Sequence, residues 1–283
     1  MMLGEAMGDL ERRQTKKHGY LETIRRLRRL GTMGLLRVIV HRIIGERPVP
    51  GFVRYRNRLA NAKGLEIGGP SNIFSKKSIL PVYGVVGTID NCNFSSLTVW
   101  EGAIQEGRTY RFSKNKTGQQ FICEGAELDF LQNESYDFVL SSHVIEHMGN
   151  PLKALYEWKR VLKNHGLLLL CAPDKDKTFD HRRPTTSLAH LIEDYRKNTD
   201  EHDSSHLPEI LELHDLSMDP GAGTREEFVE RSRRNYENRC LHHHVFTQES
   251  LVKAVSHVGF NVLMVTLHPP HHIVVICEKV ENK

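Results

Sequence analysis

Apolar and polar positions change their period along this chain. Leu21, Ile24, Leu27 and Leu30 recur at three-residue intervals with Arg25, Arg26, Arg28 and Arg29 between them, which predicts a basic amphipathic helix. A second apolar segment, Leu35 to Ile44, is interrupted by Arg37, His41 and Arg42; Gly45, Pro48, Pro50 and Gly51 then mark a linker. From Lys63 onward, short apolar runs alternate with turn residues and helical stretches. Strands are predicted at 64–67, 82–89, 138–141, 167–172, 261–267 and 273–278, and helices at 151–162 and 248–258. This alternation predicts an α/β domain. The run Leu167-Leu168-Leu169-Leu170 suits a central parallel strand buried on both faces.

The organisation expected is a basic helical extension over 1–60 and a catalytic domain over 61–283, interrupted by an insertion at 174–245. That polar stretch is too long for a plain connection, so it is expected to hold structure of its own. Leu188, Leu191, Ile192 and Tyr195 predict one helix in it; Phe228, Val229 and Tyr236 suggest another. It leaves the carboxyl end of a strand, the edge where open α/β sheets bind ligands, and is read as a lid or substrate wall. Asp174, Asp176, Asp180, Arg182 and Arg183 open it and are expected to grip hydroxyl-rich or anionic groups, the arginines forking onto a phosphate or carboxylate. Histidines are dense in and after it: His181, His190, His202, His206, His214, His242, His243 and His244. In a strand His242 and His244 would share one face and could approach a ligand together; solvent-exposed histidines are the plainer reading.

Charge is local. Residues 1–60 carry 14 Lys and Arg against five Asp and Glu, a net +9 within a total of +4, so the remainder carries −5. The arm either packs its helices beside the catalytic domain or docks on an anionic membrane through residues 20–45; nucleic acid is not favoured, because few aromatics interleave its charges. Five scattered cysteines, none in a C-x-x-C pair, and no signal-peptide pattern or membrane-length apolar run point to a cytoplasmic protein, with peripheral membrane contact as an option.

The first strand closes in Leu65-Glu66-Ile67-Gly68-Gly69-Pro70-Ser71, where paired glycines let a ligand approach the backbone. Such a turn also occurs in ordinary loops. Asp90, 24 residues after Glu66, stands where a carboxylate can accept hydrogen bonds from both hydroxyls of a ribose; an Asp that merely forms a turn is the alternative. The most specific stretch is Tyr136-Asp137-Phe138-Val139-Leu140-Ser141-Ser142-His143-Val144-Ile145-Glu146-His147. It is followed by Asn150-Pro151, Glu157-Trp158-Lys159-Arg160-Val161-Leu162-Lys163 and Gly166-Leu167-Leu168. This segment resembles the region from the fourth to the fifth strand of the ubiquinone-biosynthesis-like (type 11) methyltransferases, class I enzymes dependent on S-adenosylmethionine. The resemblance spans residues 60–175 and 245–280.

The resemblance implies a Rossmann-like, mostly parallel sheet with helices on both faces, an N-terminal helical extension and a helical insertion after the fifth strand. It implies S-adenosyl-L-methionine across the carboxyl edge, with Glu66, Gly68, Gly69, Pro70 and Ser71 near its amino-acid end and Asp90 on the ribose. Glu124, Ala126 and Glu127 would lie near the adenine, and Ser141, Ser142 and His143 beneath the methionine portion. Pro70-Ser71 departs from the family, where a further glycine is common.

Methyl transfer asks mainly for positioning, but a hydroxyl acceptor must lose its proton to a nearby base or metal-bound group. His143, Glu146 and His147 are the candidates; the alternative is a helix entry in which Glu146 meets the helix dipole and His147 packs or caps. The same three could hold a divalent metal, because Glu146-His147 matches part of the Glu-x-x-Glu-His ligand motif of small-RNA 2′-hydroxyl methyltransferases; a metal is the less favoured option. The expected reaction is O-methylation of a glycan or polyhydroxylated small molecule. A nicotinamide oxidoreductase is excluded by the lack of G-x-G-x-x-G in Gly68-Gly69-Pro70-Ser71. The remaining alternative is a non-catalytic Rossmann-like module docking on membrane or nucleic acid through its basic arm.

Overall fold

The structure, a computed structural model, describes residues 46–281. The helices expected at 20–30 and 35–44, and with them the basic docking arm, lie outside the described residues. The described chain falls into two units. In the small one, which includes 46–48 and Lys77–Ile79, Glu46 N donates to Lys77 O at 2.8 Å. The large one comprises Val49–Lys76 and the chain from Leu80 on.

After a short helix, α1 (Val53–Leu59), the large unit builds one sheet from β1 (Lys63–Ile67), β2 (Thr88–Asn93), β5 (Gly107–Ser113), β6 (Lys116–Ile122), β7 (Tyr136–Ser142), β8 (Leu162–Pro173), β9 (Phe260–His268) and β10 (His272–Lys279). A two-stranded hairpin, β3 (Leu97–Thr98) with β4 (Gly102–Ala103), stands outside it. The sheet order is β5-β6-β2-β1-β7-β8-β10-β9. The strands β6, β2, β1, β7 and β8 run parallel, and antiparallel hairpin partners close both edges. The expected Rossmann-like, mostly parallel α/β fold is therefore borne out. Chain order reverses between β1 and β7, so the carboxyl ends of β2, β1 and β7 flank the switch point at which such sheets bind ligands.

Helix α2 (Pro151–Val161) shows how the sequence places its elements. Asn150 accepts a hydrogen bond from Lys153 N at 3.0 Å, and Pro151 opens the first turn, where its missing N–H costs nothing. Leu152, Leu155, Trp158 and Val161 then recur at helical spacing and are fully buried against the sheet. Burying each stabilises the fold by about 1.5–3 kcal/mol. Trp158 Nε1 also donates to Gly125 O at 2.8 Å, which fixes the loop after β6.

Two expectations require correction. The apolar run at 82–89 forms buried turns, with Val85 N and Val86 N both donating to Val82 O at 3.0 and 3.3 Å, and the strand begins only at Thr88. Pro81, Gly84 and Gly87 punctuate the run, and Val82 and Val86 satisfy burial without extension. Second, residues 241–245 belong to no strand, so His242, His243 and His244 do not alternate.

The insertion leaves β8 at Pro173 and returns at Phe246. Asp174 bridges to Phe246, Lys175 N donates to Phe246 O at 2.9 Å, and Thr186 N donates to Val245 O at 3.0 Å. Between them lie α3 (Leu188–Lys197), as expected, then α4 (Leu207–Leu213), α5 (Arg225–Arg233) and α6 (Asn235–Asn238). Ile210, Ala222, Phe228 and Leu241 give it a small core of its own. Helix α7 (Gln248–His257) follows and packs on β9.

Candidate active site

A cavity of ≈ 300 Å³ opens at the carboxyl ends of β1, β2 and β7, at the lower end of the size range of small-molecule sites, about 300–1,000 Å³. Its floor is the turn after β1. Gly68 has φ +78°, and a Cβ there would stand 2.6 Å from Val144 Cγ2, so only glycine leaves the floor open. Gly69 is gripped at both ends by Asn91, its N donating to Oδ1 at 3.0 Å and its O accepting from Nδ2 at 3.2 Å. Pro70 and Ser71 continue the lining.

Glu66 does not line the cavity. It is fully buried beneath the turn, where Tyr83 OH, Tyr110 OH and Ser71 N donate to it at 2.8, 2.5 and 3.0 Å. Burial pushes its pKa up to about 7 against the lowering effect of these donors. Its structural placement is as a brace for Gly69 and Ser71.

Asp90 is also displaced from its expected place. It pairs with Leu65 in mid-strand, three residues before β2 ends at Asn93. Its carboxylate accepts from Gln119 N and Tyr136 OH, both at 3.0 Å, and pairs with Lys63 at 3.3 Å. The late start of β2 explains the shift, and Asn93 occupies the cavity edge instead. Asn93 Oδ1 accepts from Asn91 and Gln120, and its amide nitrogen makes no hydrogen bond among the described residues.

On the next wall Glu124 and Gly125 line the cavity, whereas Ala126 lies in the hydrophobic core and Glu127 faces solvent beside Lys153 at 2.8 Å. A Cβ on Gly125 would fall 2.7 Å from Ile67 Cγ2, so this wall is bare backbone. From β7, Ser142 and His143 line the cavity while Ser141 is wholly buried behind them. His143 has φ +54°, a strained value for a residue with a Cβ, and is held by Cys171 O at 2.8 Å from its N–H and by His272 Nδ1 at 2.8 Å from its Nε2.

The polar groups converge at the mouth. Glu146 is 1% exposed, and neither oxygen has a hydrogen-bond partner among the described residues; His143 Nδ1 and His147 Nε2 approach Oε1 to 3.5 and 3.9 Å. Burial pushes its carboxyl up, but the neighbouring His143, His147 and His242 outweigh it and bring the pKa down to about 2. His147 Nδ1 lies 2.9 Å from Leu241 O. A carbonyl only accepts, so Nδ1 carries the proton and Nε2 the lone pair. Burial, then His242, hold this ring neutral with its pKa down to about 4. His242 packs edge-on to His147 at 4.7 Å and points Nδ1 at Asp180 Oδ2, 2.5 Å away. Asp180 is itself fixed by Arg183 at 3.0 Å.

Arg183 is thereby committed. It is 2% exposed and also donates to Glu209 and to the carbonyls of His242 and His243, so it does not reach for substrate as expected. Arg182 pairs with Asp215. The three residues brought within metal-binding distance at the mouth are Glu146, His147 and His242, so His242 replaces His143 in the expected trio.

Sequence reasoning missed the rim. The β3–β4 hairpin contributes Thr98, Trp100 and Glu101; the insertion contributes Glu201 and Arg239. Trp100 is 55% exposed with its ring 5.6 Å from that of His147. A lone exposed Trp in Leu97-Thr98-Val99-Trp100-Glu101 was the available signal.

Residues 90–170, from β2 into β8, match the family described as "Methyltransferase domain". The matched span carries Asn93, Glu124, Ser142, His143, Glu146 and His147 of the cavity. The stretch from β2 into β8 is thus similar to a methyltransferase domain. N-terminal Xaa-Pro-Lys N-methyltransferase 1 of Bos taurus is 26% identical over 117 residues, 41% of this chain and 49% of that protein. The chain thus spans about half the length of that curated relative. An S-adenosylmethionine-dependent methyltransferase from Mesorhizobium loti aligns over 81% of this chain and 96% of its own at 10% identity and a TM-score of 0.47. One from Methanosarcina mazei aligns over 83% and 100% at 17% and 0.42. The cavity's own features fit a nucleoside ligand: a floor and a wall of bare glycine backbone, with an amide side chain at the β2 end.

Proposed function

We propose that this protein transfers the methyl group of S-adenosylmethionine to a hydroxyl of a glycan or polyhydroxylated small molecule. The observation that carries the reading is the chain Arg183–Asp180–His242, which ends at the cavity mouth beside His147 and the Glu146 carboxylate, whose oxygens make no hydrogen bond among the described residues. Gly68, Pro70 and Ser71 would cradle the amino-acid end of the co-substrate, Asn93 would meet its ribose, and Glu124 and Gly125 its base. S-adenosylmethionine supplies an electrophilic methyl group, so the chain's residues need only orient the acceptor and take one proton.

His242 is assigned as the general base. Asp180 fixes its tautomer with the proton on Nδ1, leaves Nε2 to accept, and stabilises the cation formed, as a buried carboxylate does for the imidazole of a catalytic triad. His147 Nε2, a neutral acceptor, would orient the hydroxyl. Glu146, ionised and without a hydrogen-bond partner among the described residues, would offset positive charge formed at either ring. His143 shapes the floor. The exposed Trp100 ring beside His147 supports a sugar-like acceptor, because the C–H face of a pyranose packs on an aromatic plane while its hydroxyls meet Glu101 and Glu201. The insertion at 174–245 serves as the substrate lid of the domain over 61–283.

Calorimetry with S-adenosylmethionine and a release assay for S-adenosylhomocysteine over a panel of polyols and glycosides test this. Binding with hydroxyl-dependent turnover is expected. His242→Ala should lower kcat about 10²–10⁴-fold with unchanged co-substrate affinity. Absence of binding heat overturns the methyltransferase reading; unchanged kcat in the variant overturns the base assignment.

A further inference from the structure

The insertion gathers four side chains that the proposed reaction does not use. His190 and Asp194 stand one turn apart on α3, so both project from the same face. His206 precedes α4, and His244 sits on the irregular segment that returns to the neck. His190 Nε2 lies 3.1 Å from His206 Nε2 and 3.3 Å from Asp194 Oδ2, and His244 Nε2 lies 3.7 Å from the same oxygen. All four ligand atoms fall within 4.8 Å of one another.

We propose that His190, Asp194, His206 and His244 form a zinc site that pins the helices of the insertion to its own returning segment. Zinc bonds to imidazole and carboxylate are about 2.0–2.2 Å, and a tetrahedron of such bonds has edges of about 3.3–3.6 Å; the three separations above, 3.1, 3.3 and 3.7 Å, bracket that range. Asp194 Oδ2 is buried with no hydrogen-bond partner among the described residues. A hydrogen bond between His190 and His206 would satisfy those two rings alone and leave this oxygen bare; a cation at the centre satisfies all four donors. The other partner of His244 Nε2, Gly149 O at 3.4 Å, is at the outer limit of a hydrogen bond.

Three imidazoles and one carboxylate suit zinc over magnesium or calcium, which take oxygen ligands. Four protein ligands fill a tetrahedron and leave no open position, so the role is structural. Thr199 Oγ1, donating to Asp194 Oδ1 at 3.3 Å, orients the carboxylate from outside. The His190 side chain is 40% exposed and gives the ion a route in. The site joins α3, the start of α4 and the segment returning to the neck. In that segment His244 N donates to Glu146 O at 3.2 Å, and His242 stands two residues away. The ion therefore holds both the lid and the proton-accepting end of the active site.

Metal analysis of the full chain, purified without chelator, tests the assignment. About one zinc per chain is expected, and His206→Ala should weaken its retention at least about 100-fold, since outer-shell changes alone cost 10–100-fold. Because that variant could fail to fold, the wild-type chain is also stripped and reloaded with cobalt(II), which absorbs strongly in the visible only when tetrahedral. Intense bands that zinc displaces support the site. The proposal is overturned by three results: no bound metal after zinc loading, weak octahedral cobalt bands, or zinc kept in folded His206→Ala but lost in His242→Ala, which would move the ion to Glu146, His147 and His242.

Discussion

Arg239 Nη2 reaches Glu124 Oε1 at 2.6 Å, so the insertion is tied to the cavity wall through one guanidinium. Its other arm holds Glu201 at 2.7 Å, and the ring of Phe94 lies 5.2 Å beneath it. Arg239→Gln leaves two carboxylates facing each other. Glu124 is a third exposed, so the expected loss is discounted to about 2 kcal/mol. Burial already raises Glu201 to about 7, so the variant should lose more stability at pH 8 than at pH 6, where the orphaned acids can protonate. Denaturant titrations at both pH values check this; equal losses would mean the ion pairs contribute little.

Glu66 offers a cleaner pH signature. Its pKa is raised from 4.5 to about 7 in the folded state, so the folded chain binds the extra proton across that interval. The stability this provides is full below pH 4.5 and is lost as pH rises through 7. Glu66→Gln keeps a neutral group of the same shape and should flatten that part of the stability curve. Thermal melts of both chains between pH 5 and pH 8 decide it, and parallel curves would count against a protonated Glu66.

Gly68→Ala places a methyl 2.6 Å from Val144 Cγ2 at φ +78°. The backbone strain alone should cost about 1–3 kcal/mol, and the cradle should bind S-adenosylmethionine more weakly. Adding Val144→Ala removes the collision but not the strain. Calorimetry should thus show affinity partly restored while the melting temperature stays low.

Asn93→Ala should weaken S-adenosylmethionine binding about tenfold, the worth of roughly one hydrogen bond. Asp90→Asn should leave affinity nearly unchanged while lowering stability, because it disturbs Tyr136 and Gln119 rather than the cavity. The opposite ranking would return the ribose to Asp90.

The contrast between these two residues shows what the sequence made legible. The β1 turn, the β7 segment ending in Ser142-His143, and α2 with its Asn150 cap follow from local signals: periodicity, glycine pairing and capping chemistry. Asp90 was misplaced because Val82 and Val86 look like strand residues, and only tertiary burial makes them turn residues. The partners of His242, His243 and His244 are less accessible still. Each turns to a different neighbour, respectively Asp180, Asn235 and the Asp194 cluster, and those pairings span up to 62 residues of chain. A pattern confined to adjacent positions holds no record of them. Trp100 lies on a hairpin of two-residue strands, too short for any periodicity to register.

The neck formed by Asp174 and Phe246 gives the insertion a single doorway. A cassette that enters and leaves through adjacent rungs, with its own miniature core, can be exchanged for another without altering the register of any strand. Under the proposed function, exchanging the cassette replaces the acceptor side of the cavity together with His242, while the turn after β1 and the end of β2 stay as they are.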